Sequence, residues 1–177
     1  SLAINVASFT SENIDESMSA QLISESLLAG LYTYDFFKSE KVDNPLTNIK
    51  FFSAEAGSED ILWGEKIGSA LNIARNMSND PPNYLTPSKM GMIAVDISEN
   101  IVNMECKVLD RDEMADLGMG SLLGVAQGSV EPPKLIVMKY EGNPKDANNK
   151  VALIGKGITF DSGGLDIKSA AGMRTMK

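Results

Sequence analysis

The chain has 177 residues, 43% of them hydrophobic and 23% charged, and a net charge of −8, which argues against non-specific binding to nucleic acid or to anionic membranes. No segment approaches the ~18 consecutive apolar residues that a membrane-spanning helix needs, and the N-terminus lacks the pattern of a signal peptide. Histidine is absent and Cys106 is the single cysteine, which excludes a Ser-His-Asp triad, a Cys-His pair and an internal disulfide within this chain and fits a reducing compartment.

The first part of the chain predicts two long helices separated by a short strand. Apolar residues at helical spacing predict an amphipathic helix over 17–38, and Ile49–Ala54 is typical of a strand. Ser58 is expected to cap a second helix that runs to about Ser78, with acidic residues in its first turn. The proline-rich run 79–87 cannot continue that helix, so it is the best candidate for a domain boundary.

After this boundary, predicted helices and strands alternate, which indicates an α/β layered domain. Ser88 is expected to cap the first helix of this part. The predicted elements are a helix over Lys89–Asn100, a strand over Met104–Leu109, a helix over Asp110–Leu117, a short turn of helix over Leu122–Ala126, and strands over Lys134–Tyr140 and Lys150–Ile154, with a turn over Glu141–Asn149 between the last two.

The last 27 residues combine a predicted strand with polar residues that can carry chemistry. Lys156 lies between two glycines directly after the strand, and Asp161 follows five residues later. Ligands of α/β proteins bind at the carboxyl edge of the sheet, so Lys156 and Asp161 could share a metal ion there. A lysine coordinates metal only as a neutral amine, which a nearby dication favours. Lys168 could stay charged and stabilise an oxyanion.

Simpler interpretations of the same residues stay open at this point. Lys156 could be a surface lysine in a turn. Asp161-Ser-Gly-Gly could be an ordinary turn, because Asp, Ser and Gly all favour turns. A phosphate-binding loop is less favoured, since the order of glycines and lysine does not match the Gly-x-x-x-x-Gly-Lys-Ser/Thr pattern.

Taken together, the motifs resemble those of the leucyl aminopeptidase (M17) family. The run GKGITFDSGG over 155–164, followed by Ile-Lys at 167–168 and Gly-Met at 172–173, resembles the family's active-site strand and loop. The run NDPPNYLTP over 79–87 is similar to the start of the family's catalytic domain. GLYTYDFFK over 30–38 is similar to part of its amino-terminal domain.

This resemblance implies an α/β fold with the following domain map. Residues 1–56 would be the end of a smaller amino-terminal α/β domain, and 57–79 an interdomain helix. Residues 80–177 would be the first part of a three-layer α/β/α catalytic domain with a mainly parallel sheet. The chain would then be a fragment of a longer enzyme.

The resemblance also implies a function and a set of site residues. Lys156 and Asp161 would be metal ligands, with Asp161 bridging two divalent ions, Mn²⁺ or Zn²⁺, and Lys168 would be catalytic. The ions would activate a water that attacks the first peptide bond of a peptide substrate, with leucine preferred at the N-terminus. The family is cytoplasmic and typically hexameric.

The sequence departs from the family's pattern in two ways, of which the first keeps other functions open and the second bears on specificity. The family's remaining ligands, another aspartate and an Asp-x-Glu pair, and its catalytic arginine are absent from this sequence, so the isolated chain is expected to be inactive. Asp166 and Arg174 also differ from the residues common in the family. The alternatives are an inactive fragment and a non-catalytic binding or structural relative.

Overall fold

The computed structural model describes residues 1–143, 145 and 149–176, so the predicted turn over 141–149 lies partly outside the described residues. The chain divides into two compact units, Ser1–Asn79 and Asp80–Lys177. Both units combine helices with strands, and the predicted α/β class is confirmed. Within the described part of the chain, no helix has the length and apolar character needed to cross a membrane. The assignment of 57–79 as an interdomain helix stays a prediction.

The first unit contains a two-stranded parallel sheet and two long helices. Strand β1 (Leu2–Asn5) pairs with β2 (Ile49–Phe52), with Leu2 opposite Ile49. The strand predicted at Ile49–Ala54 is therefore confirmed over its first four residues. Helices α1 (Glu16–Gly30) and α2 (Ser58–Asn79) connect to this sheet and pack against each other.

Helix α1 is shorter than predicted. It begins after the N-cap Asp15, whose side chain accepts a hydrogen bond from the Met18 N–H at 2.8 Å. Residues 31–38, which were predicted to be helical, lie outside it. The prediction of the C-terminal part of this helix was wrong.

Contacts from α2 explain why α1 ends at Gly30. The Asn72 amide donates to the Leu28 carbonyl at 3.0 Å, and the Arg75 guanidinium donates to the Ala29 carbonyl at 2.8 Å. These carbonyls would accept from residues 32 and 33 if the helix continued. Because side chains of α2 satisfy them instead, the chain can leave the helix without losing hydrogen bonds.

Helix α2 starts one residue earlier than predicted, at the residue that was expected to precede it as its N-cap. Ser58 is its first helical residue, and Asp60 satisfies the helix end by accepting from the Gly57 N–H at 2.8 Å. The other Asp60 oxygen accepts from the Ser17 hydroxyl at 2.5 Å, and this hydrogen bond is the main cause that lowers the Asp60 pKa. The capping role predicted for Ser58 was wrong.

The two helices approach each other closely at glycines of α2. A Cβ atom on Gly64 would lie 2.2 Å from the Gln21 carbonyl oxygen, and one on Gly68 would lie 2.9 Å from the Leu28 Cβ. Side chains at these two positions would force the helices apart. Glycine is therefore required by the distance between the helices.

The second unit begins with α3 (Pro87–Glu99) and continues to an antiparallel pair of strands. Strand β3 (Met104–Leu109) pairs with β4 (Leu135–Tyr140), with Met104 opposite Tyr140. This pair of strands is antiparallel, whereas the parallel pair described in this chain, β1 with β2, lies in the first unit. Helices α4 (Arg111–Asp116) and α5 (Gly120–Val125) connect β3 to β4, and these elements agree with the predictions in type and place.

The strand predicted at Lys150–Ile154 was wrong, because the structure has no regular secondary structure there. Its apolar residues are almost fully exposed, with Leu153 at 94% and Ile154 at 97% of their full accessible surface. A strand requires a neighbour that accepts and donates its backbone hydrogen bonds. Among the described residues, no strand pairs with this segment.

The cap of α3 also differs from the prediction, and a substitution tests it. Thr86 is the N-cap, and its hydroxyl accepts from the Lys89 N–H at 3.3 Å, while Pro87 occupies the first turn. We expect Thr86→Ala to lower the free energy of unfolding by about 1 kcal/mol. Urea denaturation would measure it. The matched Ser88→Ala variant should stay within about 0.5 kcal/mol of the unsubstituted protein, and equal losses in both variants would contradict the assignment.

Candidate active site

The segment from Asp161 to Lys168 folds back on itself as a closed turn. The Asp161 Oδ1 accepts from the Gly163 N–H at 2.8 Å. Gly163 and Ile167 form an isolated antiparallel bridge, and the Lys168 N–H donates to the Ser162 carbonyl at 2.9 Å. These backbone contacts return the chain so that Lys168 lies beside Asp161. A turn, which the sequence left open as the simpler interpretation of the Asp-Ser-Gly-Gly run, is present here.

Gly163 is the residue that makes this turn possible. Its φ angle is +91°, in the region that residues with a side chain rarely adopt. A Cβ atom there would also lie 2.3 Å from the Asp166 carbonyl oxygen. Gly163 was not predicted to have a role in the site, although the turn-forming composition of the run was the available signal.

Asp161 and Lys168 form a direct ion pair. The Lys168 Nζ lies 2.8 Å from the Asp161 Oδ1, and the two side chains are 27% and 41% exposed, respectively. The hydrogen bond from Lys168 is the largest cause that lowers the Asp161 pKa, followed by the Gly163 N–H and then by smaller effects that include the charge of Lys156. The Asp161 side chain is therefore an ionised carboxylate at neutral pH.

Lys156 lies near this pair without contacting it. Lys156 is exposed in a segment without regular structure. The next residue, Gly157, lies beside α3, because a Cβ atom built on it would be 3.4 Å from the Met90 sulfur. No ion pair joins Lys156 to Asp161 among the described residues, although its charge acts on the Asp161 carboxylate. Of the three predicted site residues, the structure brings two into contact.

The chain after Lys168 turns back toward Asp161. Helix α6 (Ala170–Met173) is a single turn, and the Ser169 hydroxyl accepts from the Gly172 N–H at 3.2 Å. The Asp161 N–H then donates to the Met176 carbonyl at 3.4 Å. Asp161 is thus held from both sides, through its backbone N–H and through the turn that contacts its carboxylate.

The donors present fit part of a metal site. Asp161 offers a carboxylate whose Oδ2 has no hydrogen-bond partner among the described residues, and Lys156 offers an exposed amine. Oxygen and nitrogen donors suit Mn²⁺ and Zn²⁺. Within the described ranges, no three His, Cys, Asp or Glu side chains come together as a metal site. Two donors are fewer than the four positions that a zinc ion occupies.

Comparison with protein families defines the class to which this chain belongs. The model of the cytosol aminopeptidase family, catalytic domain, matches residues 72–177, which include all three predicted site residues. The chain belongs to the cytosol aminopeptidase family.

Curated relatives and solved structures agree with this assignment. The probable cytosol aminopeptidase of Pseudomonas syringae pv. syringae (strain B728a) is 38% identical over 99% of this chain and 36% of its own length. The cytosol aminopeptidase of Pseudomonas aeruginosa (strain PAO1) is 39% identical over 92% of this chain and 34% of its own length. The chain therefore spans about a third of the length of these relatives.

The fold is similar to that of two solved enzymes. The bottromycin maturation enzyme BotP in complex with Mn matches with a TM-score of 0.81 and 28% identity, over 98% of this chain and 36% of that chain. A mutant of tomato leucine aminopeptidase matches with a TM-score of 0.81 and 26% identity, over 90% of this chain and 33% of that chain. These matches support the α/β fold class across both units.

Proposed function

We propose that the protein carrying this chain is a cytoplasmic, metal-dependent aminopeptidase that releases N-terminal amino acids, with leucine preferred, from peptides. The observation that carries the proposal is the 2.8 Å contact between Lys168 and the Asp161 carboxylate, inside the region that matches the family's catalytic domain. The names of the relatives support the activity, and the name of the family supports the cytosolic location.

We propose Lys156 and Asp161 as ligands of two divalent ions, Mn²⁺ or Zn²⁺, with Asp161 bridging them. A Mn-bound structural neighbour supports manganese as one candidate. When bound, such ions activate a water molecule as the nucleophile and polarise the substrate carbonyl. Lys156 would contribute a neutral amine, and the exposed position of its side chain leaves it accessible to an ion. The remaining ligands would lie outside the described residues.

Lys168 would act on the substrate directly. Its backbone is fixed by the hydrogen bond to the Ser162 carbonyl and by the bridge between Gly163 and Ile167. From this fixed origin, the ammonium can donate a hydrogen bond to the carbonyl oxygen of the first peptide bond and stabilise the negative charge that develops there. The closed turn holds the backbone from which this charge is placed, which reduces the entropic cost of positioning it.

We propose peptides as the partners of this site and a hexamer as the assembly, as the family resemblance implies. The net charge of −8 has the wrong sign for phosphate backbones, so nucleic acid is not proposed as a partner.

Lys168→Met tests the proposed function. We expect kcat for hydrolysis of a leucine amide to fall about 10²- to 10³-fold, because one stabilising donor of the oxyanion is lost. Steady-state kinetics of the complete protein with saturating Mn²⁺ would measure it. Lys150→Met is the matched control, since the Lys150 charge acts on Glu141, and it should leave kcat within about twofold.

Removal of metal gives an independent check on the same proposal. We expect a chelator to abolish hydrolysis by the unsubstituted protein, and added Mn²⁺ or Zn²⁺ to restore it. Undiminished hydrolysis after complete metal removal, or full kcat in Lys168→Met, would contradict the proposal.

A further inference from the structure

In the proposed function, the Asp161 carboxylate interacts with two kinds of cation, the Lys168 ammonium and the metal ions. Its Oδ1 already accepts from the Lys168 ammonium and from the Gly163 N–H, each at 2.8 Å. If Asp161 held two metal ions through both of its oxygens, Oδ1 would also have to serve as a metal donor. The Lys168 ammonium would then compete with a metal ion for Oδ1.

The single charge of this carboxylate cannot neutralise both cations at the same oxygen. An ammonium and a dication that approach one oxygen atom repel each other strongly, and the partial burial of Lys168 reduces the screening of that repulsion by water. The Gly163 N–H is neutral and can keep its hydrogen bond. The Lys168 ammonium is the group that must leave.

The turn allows the ammonium to leave while the backbone stays in place. The hydrogen bond from the Lys168 N–H to the Ser162 carbonyl fixes the origin of the side chain, and Gly163, with its positive φ angle, keeps the loop closed. The four-carbon stem of lysine carries the rotational freedom. The motion required is a change of rotamer in one side chain.

We propose that Lys168 is the resident counter-cation of Asp161 in the metal-free protein, and that metal binding displaces its ammonium toward the substrate. This inference rests on the proposed function, because it assumes that Asp161 is a metal ligand. Before metal binds, Lys168 holds the carboxylate in place, and it competes with the incoming metal. Its ammonium becomes available for the substrate carbonyl only after the metal has bound.

Calorimetric titration of Mn²⁺ into the complete, metal-stripped protein tests this competition. We expect Lys168→Met to bind Mn²⁺ about two- to fivefold more tightly than the unsubstituted protein, the range expected when a partly exposed ion pair no longer has to be broken. Lys168→Arg keeps the charge and should bind with an affinity closer to that of the unsubstituted protein. The control Lys150→Met should bind like the unsubstituted protein.

The outcomes separate this inference from the proposed function. Equal or weaker Mn²⁺ binding by Lys168→Met, together with loss of binding in Asp161→Asn, would overturn the counter-cation role and leave the metal site standing. Unchanged Mn²⁺ binding in Asp161→Asn, or absence of binding in the unsubstituted protein, would overturn both. Tighter Mn²⁺ binding by Lys168→Met, without the same increase in Lys168→Arg or Lys150→Met, supports the displacement.

Discussion

Replacing Asp161 with asparagine is expected to reduce metal-dependent release of N-terminal leucine by more than about 100-fold, the upper figure for loss of a residue that only orients a metal ligand. The amide keeps the shape of the side chain and can still accept from the Gly163 N–H. It carries no negative charge for the proposed ions or for the Lys168 ammonium. Kinetics with a leucine amide and the metal content of the purified protein would measure the effect.

A second aspartate in the same turn supplies the control. The Asp166 side chain is exposed, and no hydrogen bond or ion pair joins it to Asp161 or Lys168 among the described residues. Asp166→Asn should therefore keep metal content and retain activity within a few-fold of the unsubstituted protein. Normal activity and metal content in Asp161→Asn would exclude Asp161 as the bridging ligand.

Gly64→Ala is expected to destabilise the first unit by about 2 kcal/mol. Two effects oppose each other. Alanine gains about 1 kcal/mol over glycine in a helix interior. Overpacking typically costs about 1–3 kcal/mol or more, and we expect the upper end, because the new Cβ would lie 2.2 Å from the Gln21 carbonyl oxygen. That oxygen belongs to the backbone of α1, so no rotamer change relieves the clash. The midpoint of urea unfolding, with its slope, would measure the loss.

Gly30→Ala is the matched control in the same unit. It makes the same chemical change at the last residue of α1, where no atom lies within 4 Å of a built Cβ. We expect its stability to remain within about 0.5 kcal/mol of the unsubstituted protein. An increase in stability in Gly64→Ala would mean that the helices separate without cost.

Sequence patterns were sufficient where the signal is local. A helix was predicted over Asp110–Leu117, and the structure has α4 there, with a reciprocal cap in which Asp110 accepts from the Glu113 N–H and Glu113 accepts from the Asp110 N–H. Strand β3 was predicted from its own composition. In contrast, the end of α1 depends on Arg75, which contacts Ala29 across 46 positions of the chain. Periodicity within 17–38 contains no information about that contact.

In the candidate site, too, some features could be predicted from the sequence and others required the structure. The motif predicted Asp161 and Lys168 as site residues, and the contact between their side chains became visible only in the structure. It did not indicate that Lys156 would lie apart from this pair, since that depends on a segment whose predicted strand has no partner in the described part of the chain. Residue types were predictable from sequence, and distances required the fold.

The hydrogen bonds from Asn72 and Arg75 to the end of α1 bear on where this chain can be cut for expression of a single domain. The family match begins at residue 72, inside α2, whereas the compact units separate between Asn79 and Asp80. A recombinant catalytic domain started at residue 72 would carry both side chains away from the carbonyls of Leu28 and Ala29. A recombinant domain that follows the boundary between the compact units would begin eight residues later, at Asp80.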